Sequence, residues 1–381
     1  MSFDRLDARP LAADGQITSV ICPVRDEMGL LPHFLDHHRR LGVRQFILID
    51  NASSDGTTEY ILSQPDCIVY FTDESYYESA YARKWINRIL VDNNYAGWLI
   101  YLDADEHLVY RGAEALSVQG FLQQLEAEGA DCALAVMVDM YPDGDFASVK
   151  IAPHDNLHAK LPWFDGDYVM RPWPTRPWDR KSDGFRLQVL GGPRCRLLSN
   201  LERERQRGAL HYTIDKQVDR FVDSVPLSLM RPLAGIWPRE MPEQQKKPVN
   251  LVRPGFAYAN SHASSNSREA GELVALLHFK FCHELQQRLH YAAVEGNHHR
   301  RGLAHHQLDI ALQRWGRRSL TYAGSRRYGS PRDLEAVGLI GPRPATLWKE
   351  GAREFVTREA APRRSDPLGG DQAATFGLGP T

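Results

Sequence analysis

The chain is poor in cysteine. It has five among 381 residues, at 22, 67, 132, 195 and 282. An odd number, widely spaced and without a C-x-x-C pair, excludes a disulfide framework or a cysteine-built zinc site. Cys22, Cys67 and Cys132 sit in apolar runs and read as small core residues of a reducing compartment. No stretch of eighteen apolar residues occurs, so no bilayer-spanning helix is expected. Met1 to Gly15 carries Asp4, Asp7 and Asp14 and no apolar run, unlike a signal peptide. The expected location is cytoplasmic, with peripheral contact at the inner membrane face as an extension. Neither sign of charge dominates: 46 Lys and Arg against 48 Asp and Glu leave a net charge of -2. That argues against a nucleic-acid partner. No G-x-G-x-x-G follows the first apolar run and no G-x-x-x-x-G-K-[ST] exists, so neither a dinucleotide fingerprint nor a P-loop is expected. No sequence repeat is present.

The residues that are present describe a globular chain, 43% hydrophobic and 25% charged. Strands are expected at Ile17–Cys22, Phe46–Ile49, Cys67–Phe71, Trp98–Leu102 and Ala133–Val138. Helices are expected from Leu30 to Leu41 (closed by Gly42), after the cap-like Ser53-Ser54-Asp55-Gly56, over Ser79–Val91 and over Ala113–Glu128. Strands alternating with helices predict an α/β fold, a Rossmann-like, mostly parallel sheet flanked by helices. Beyond Met140 the texture changes. Residues 141–195 interleave proline with Trp163, Trp173 and Trp178 and predict shaped loops. Pro226 to Pro254 predicts a second irregular stretch. Arg268–Ala293 reads as the longest helix, with Leu273, Leu276, Leu277, Leu285 and Leu289 near one face. Ala361 to Thr381 has the composition of a disordered tail. The expected organisation is an N-terminal extension at 1–16, an α/β half at 17–140, a second region with C-terminal helices at 141–324, and a tail at 325–381.

Three expected strand ends carry polar clusters. The sharpest is Leu102-Asp103-Ala104-Asp105-Glu106. Three acids so close repel one another unless something positive neutralises them. Carboxylates suit hard cations such as Mg²⁺ or Mn²⁺, and open α/β sheets bind ligands at the carboxyl ends of their strands. The plain alternative is an acidic turn. The second cluster is Asp50-Asn51-Ala52-Ser53-Ser54-Asp55-Gly56-Thr57, suited to ribose or base contacts or to helix capping. The third is Val24-Arg25-Asp26-Glu27.

In this order, the clusters resemble those of a family 2 glycosyltransferase of the GT-A fold, in its bacterial family 2-like subgroup. Asp139-Met140-Tyr141, Gly191-Gly192-Pro193-Arg194-Cys195-Arg196 and Leu277-His278-Phe279-Lys280 are similar to later signatures of that subgroup. The resemblance implies a metal-dependent transferase that moves a sugar from a nucleotide-sugar donor to a glycan or lipid-linked acceptor with inversion. Residues 17–140 would bind the donor and 141–324 the acceptor. Arg25, Glu27, Asp50, Asn51, Asp55, Arg83 and Asp103 would face the donor. Asp103, Asp105 and His278 would hold Mn²⁺ or Mg²⁺, with His262 a competitor for the imidazole position. A carboxylate base is required, and Asp139, Asp165 and Asp167 are its candidates. Arg194, Arg196, Arg203, Arg205 and Arg207 suit a diphosphate, an anionic lipid surface or a charged helix face. The rival readings are a nucleotidyltransferase of similar fold and a non-catalytic glycan-binding protein.

Overall fold

The computed structural model describes residues 3–15, 17–172, 187–198, 244–260, 262–285, 288–289, 303–344 and 355–356. Trp173, Trp178, Arg203, Arg205, Arg207 and the stretch 361–381 lie outside them. In chain order the elements are β1 (Phe3–Arg5), β2 (Ser19–Val24), α1 (Leu31–Leu41), β3 (Gln45–Asp50), α2 (Thr57–Ser63), β4 (Cys67–Thr72), α3 (Arg83–Asp92), β5 (Gly97–Tyr101), β6 (Glu106–Val109), α4 (Val118–Ala127) and β7 (Cys132–Asp139). Then follow α5 (Leu157–Lys160), β8 (Trp163–Asp165), β9 (Tyr168–Pro172), β10 (Leu187–Gly191), α6 (Gly192–Leu198), β11 (Gln245–Val252), β12 (Glu269–His278), α7 (Leu303–Trp315), β13 (Ser325–Arg327), α8 (Pro331–Glu335), β14 (Gly341–Pro342) and β15 (Phe355–Val356).

The main sheet has the order β1-β4-β3-β2-β5-β11-β7-β12-β14, with β6 also paired to β12. Following the pairings, β2, β3, β4, β5, β7 and β12 all run in one direction. Their residues alternate between two cores, as a doubly covered sheet requires. Val20, Cys22, Phe46, Leu48 and Ile100 pack against Leu31, Phe34 and Leu35 of α1, Ile61 of α2 and Phe121 of α4. Ile21, Ile47, Ile49, Leu99 and Tyr101 pack against Trp85, Ile86 and Ile89 of α3. This is the α/β, mostly parallel, helix-flanked architecture that the alternating pattern predicts. Helix α1 opens on Pro32 and closes on Gly42 at φ 99°, the asymmetry expected of helix ends.

Three expectations about the second half are corrected. The leucines of 268–293 do not form one long helix: Glu269–His278 is a strand, parallel to β7. A short apolar run buried on both faces reads equally well at either period, and pairing along β7 decides it. Leu285 and Leu289 belong instead to a separate core with Leu308 and Leu312 of α7. The irregular stretch expected up to Pro254 contains β11, which lies antiparallel between β5 and β7. Pro248 is tolerated there because the register with β7 breaks between Lys246 and Val249. Residues 141–195 carry short strands as well as loops. No helix among the described residues is long and apolar enough to cross a membrane.

Candidate functional site

The same-direction strands end at one sheet edge. Val24, Asp50, Tyr101, Asp139 and His278 are the last residues of β2, β3, β5, β7 and β12. The chain leaves β2 for β3 on one side and reaches β5 on the other, so the strand order reverses at β2. Such switch points form the ligand crevice of open α/β sheets.

The loops after β2 and β3 are knitted together. Asp50 is fully buried. Its carboxylate accepts from the Ser53 amide and hydroxyl and from Thr58 Oγ1 at 2.8 Å. Asp26 accepts from the Ser54 amide at 2.6 Å, and Asp55 from the Met28 amide at 3.0 Å and Thr57 Oγ1 at 2.6 Å. Burial works against the Asp55 carboxylate, but these donors outweigh it and hold its pKa below the usual value. Asn51 donates to the carbonyls of Thr72 and Glu74. Asp26 and Ala52 take positive φ values of 53° and 56°, unusual outside glycine. Asp50, Asn51 and Asp55 therefore fix the loops that carry the exposed Arg25. Glu27 is tied bidentately to Arg288, at 2.8 and 2.7 Å.

The three adjacent acids after β5 meet their neutralising charges within the protein. Lys246, on β11, is completely buried. Its ammonium lies 2.6 Å from Glu106 Oε2, 3.2 Å from Asp103 Oδ2 and 4.9 Å from the centre of the Tyr101 ring. Burial opposes the charge on Lys246, but the two carboxylates outweigh it and raise its pKa. Burial pushes Glu106 up to about 7. Asp103 remains 41% exposed. Asp105 faces His278, with Oδ2 and Nε2 3.2 Å apart. The other ring nitrogen of His278 donates to Asp139 Oδ1 at 2.7 Å, and Asp139 Oδ2 accepts from Arg194 Nε at 2.8 Å. His278 is held between two carboxylates that overcome burial and raise its pKa. Asp139 is drawn down to about 2, where Arg194 and His278 outweigh burial. Gly191 and Gly192 permit this approach. A Cβ on Gly191 would meet the Tyr168 ring, and Gly192, at φ 75°, lies against Asp139 and the Tyr168 hydroxyl.

Asp103, Asp105 and His278 thus lie at the same end of the sheet, and of the three the Asp105–His278 pair has the donor chemistry of a divalent-cation site. A carboxylate and an imidazole nitrogen stand adjacent, and the opposite ring nitrogen is fixed by a second carboxylate, the outer arrangement usual for metal-bound histidine. Asp103 is the donor turned aside, toward Lys246. His262 hydrogen-bonds the Gln245 carbonyl at 2.9 Å through Nδ1, and burial lowers its pKa to about 4. Of the base candidates, Asp165 is 1% exposed and is clasped by Arg196 Nε and Nη2 at 2.7 and 3.0 Å and by the Tyr141 hydroxyl at 2.7 Å. Asp139 is held by His278 and Arg194. Asp167, in the turn from β8 to β9, accepts from the Tyr322 hydroxyl at 3.1 Å and stays half-exposed. Arg194 and Arg196 are internal ion-pair partners, not members of an open basic face. Arg83 is the half-buried first residue of α3, next to the exposed Lys84.

Lys246 and Arg288 escape sequence reading, and Lys280 enters it only as the last residue of the Leu277-His278-Phe279-Lys280 signature, with no role of its own. Lys280 follows His278 by two residues, and burial beside Arg194 lowers its pKa while Asp105 and Asp139 oppose the fall. One signal pointed to such residues: the acids of 103–106 need positive partners from elsewhere in the chain.

No protein family matches the chain, and no curated protein does. Among solved structures it is similar to 4-diphosphocytidyl-2C-methyl-D-erythritol synthase, with a TM-score of 0.24 and 14% identity over 33% of this chain and 62% of that one. It is similar also to HddC from Yersinia pseudotuberculosis, with a TM-score of 0.23 and 11% identity over 34% and 64%. The chain thus spans less than two thirds of either structure. Likenesses this distant carry no functional argument.

Proposed function

We propose that the chain is a metal-dependent glycosyltransferase that uses a nucleotide-sugar donor and a glycan or lipid-linked acceptor and inverts the transferred centre. The observation that carries this reading is the contact of Asp105 with His278 at the carboxyl ends of the strands, with Asp139 behind the imidazole and Asp103 two residues earlier on the same loop. Asp105 and His278 would hold Mn²⁺ or Mg²⁺, with Asp103 toward the ribose. When bound, the cation supplies Lewis-acid neutralisation of the departing diphosphate. Asp139 holds the His278 ring so that Nε2 faces Asp105. Lys280 lies beside the same carboxylates and would meet the donor phosphates. Asp139 and Asp165 are engaged in buried ion pairs, so the base role falls to Asp167, whose carboxylate receives only the Tyr322 hydroxyl among the described residues. It would take the proton of the acceptor hydroxyl.

The test is a thermal-shift screen of nucleoside diphosphates with and without Mn²⁺. One nucleotide should raise the melting temperature only when Mn²⁺ is present. Asp105→Asn should lose that shift while its ligand-free melting stays cooperative. No response to any nucleotide would end the donor hypothesis. Once a donor is found, release of nucleoside diphosphate marks glycosyl transfer, whereas release of pyrophosphate marks nucleotidyl transfer.

A further inference from the structure

Successive residues of a strand face opposite ways. Glu106 of β6 turns to Lys246, and His107 turns to the other side. There it meets His37 of α1 and His158 of α5. One ring nitrogen from each of the three lies within 4.8 Å of the others, and no second trio of His, Cys or acidic ligands is this close among the described residues. His107 is 2% exposed, and its Nδ1 has no hydrogen-bond partner among the described residues. An orphaned buried ring nitrogen is costly and calls for an explanation. His37 donates through Nε2 to the Leu108 carbonyl at 2.8 Å, so its Nδ1 carries the lone pair. Anchoring one nitrogen on a carbonyl is the usual preparation of a histidine ligand. The neighbouring His38 is excluded as a ligand: Nδ1 donates to the Phe34 carbonyl and Nε2 accepts from the Leu108 amide.

The surroundings suit a closed site. The Phe279 ring lies 4.7 Å from His107 and 5.3 Å from His158, and Tyr328 covers His158 at 5.3 Å. His37 and His158 are half-buried, which leaves a way in from solvent. Burial keeps the rings neutral, with His37 and His158 lowered to about 4, as a metal ligand must be.

We propose that His37, His107 and His158 bind one divalent transition-metal ion of the Zn²⁺ class, at a site separate from the carboxylate-rich sheet edge. Imidazoles suit Zn²⁺, Ni²⁺ and Cu²⁺, whereas carboxylates suit Mg²⁺ and Mn²⁺. Three protein ligands leave a fourth tetrahedral position for solvent. An ion there ties α1 and α5 to β6, and β6 begins immediately after Asp105. It therefore braces the acidic loop from the opposite face.

The experiment uses untagged, chelator-stripped full-length protein titrated with Zn²⁺ by calorimetry in excess Mg²⁺. One equivalent of Zn²⁺ should bind. Asp105→Asn should retain it. His37→Gln and His158→Gln should each weaken it by more than the 10- to 100-fold that loss of an outer partner costs. Co²⁺ uptake by the wild-type protein gives a reading that needs no variant: four-coordinate Co²⁺ absorbs strongly in the visible, and six-coordinate Co²⁺ weakly. No bound Zn²⁺, unchanged affinity in both histidine variants, loss of the ion in Asp105→Asn, or a weak six-coordinate spectrum would each overturn the proposal and leave a packed ladder of rings.

Discussion

Lys246 is the clearest point at which to perturb the sheet edge. Lys246→Met keeps the apolar stem and removes the charge, leaving Glu106, which is 0% exposed, without its partner. Removing one member of a buried ion pair costs about 3–5 kcal/mol. The cost is limited because the carboxyl can take a proton instead, and that makes it depend on pH. Glu106 already stands at about 7 with Lys246 present, and it rises further without the ammonium. Above its ordinary value of 4.5 the unfolded chain releases this proton while the folded chain keeps it, so stability falls as the pH rises toward the folded pKa. In the wild type that fall ends near pH 7. In the variant it continues, and the gap widens by about 1.4 kcal/mol per pH unit. Urea unfolding at pH 6, 7 and 8 measures this directly. Lys246→Met/Glu106→Gln should recover most of the loss and abolish the slope. Asp103 is 41% exposed and needs no replacement. A single-variant penalty below about 1 kcal/mol at pH 8, or a gap that does not change with pH, would refute the reasoning.

Two further outcomes follow from the fold. Gly192→Ala should cost more than Gly129→Ala. Both glycines have positive φ, 75° and 71°, which costs any other residue about 1–2 kcal/mol, but a Cβ at 129 meets nothing while one at 192 meets Asp139 and Tyr168; denaturant midpoints of the two variants decide this. Asp66 binds Arg39 of α1 at 2.6 Å, which overcomes partial burial and holds its pKa below 3.8. That contribution, on the order of 1 kcal/mol for a partly exposed pair, is complete above pH 3.8 and fades below it. The stability gap to Asp66→Asn should therefore hold constant above pH 5 and shrink only as the pH falls below 3.8 toward the lower folded value, and a gap that does not shrink there would assign it to packing.

Strands β2 to β5 are legible in the sequence because each is a short unbroken apolar run between turn signals, the mark of a strand covered on both faces. The clusters at their ends are legible for the same reason, since a strand end fixes where its next residues lie. β11 is hidden because its first half, Gln245-Lys246-Lys247-Pro248, is polar. Its burial depends on Asp103, Glu106 and Glu269, and the first two stand more than a hundred residues earlier. β12 is hidden by its leucines, which satisfy a helical period until β7 lies beside them. The resemblance implies donor contacts for the Asp50 motif, and the sequence does not announce that Asp55 also ties the loop after β3 to the one after β2. The trio at 37, 107 and 158 leaves no trace at all, because no sequence spacing joins residues brought together by three separate elements.

The placement of β11 has a consequence for how the chain is made. β5 and β7 leave the ribosome more than a hundred residues before the strand that separates them. Until residue 252 emerges, two of the central strands present bare hydrogen-bonding edges, which invite pairing with any other chain. A product cut short after β7 should therefore aggregate, since its sheet lacks the strand that joins its two halves.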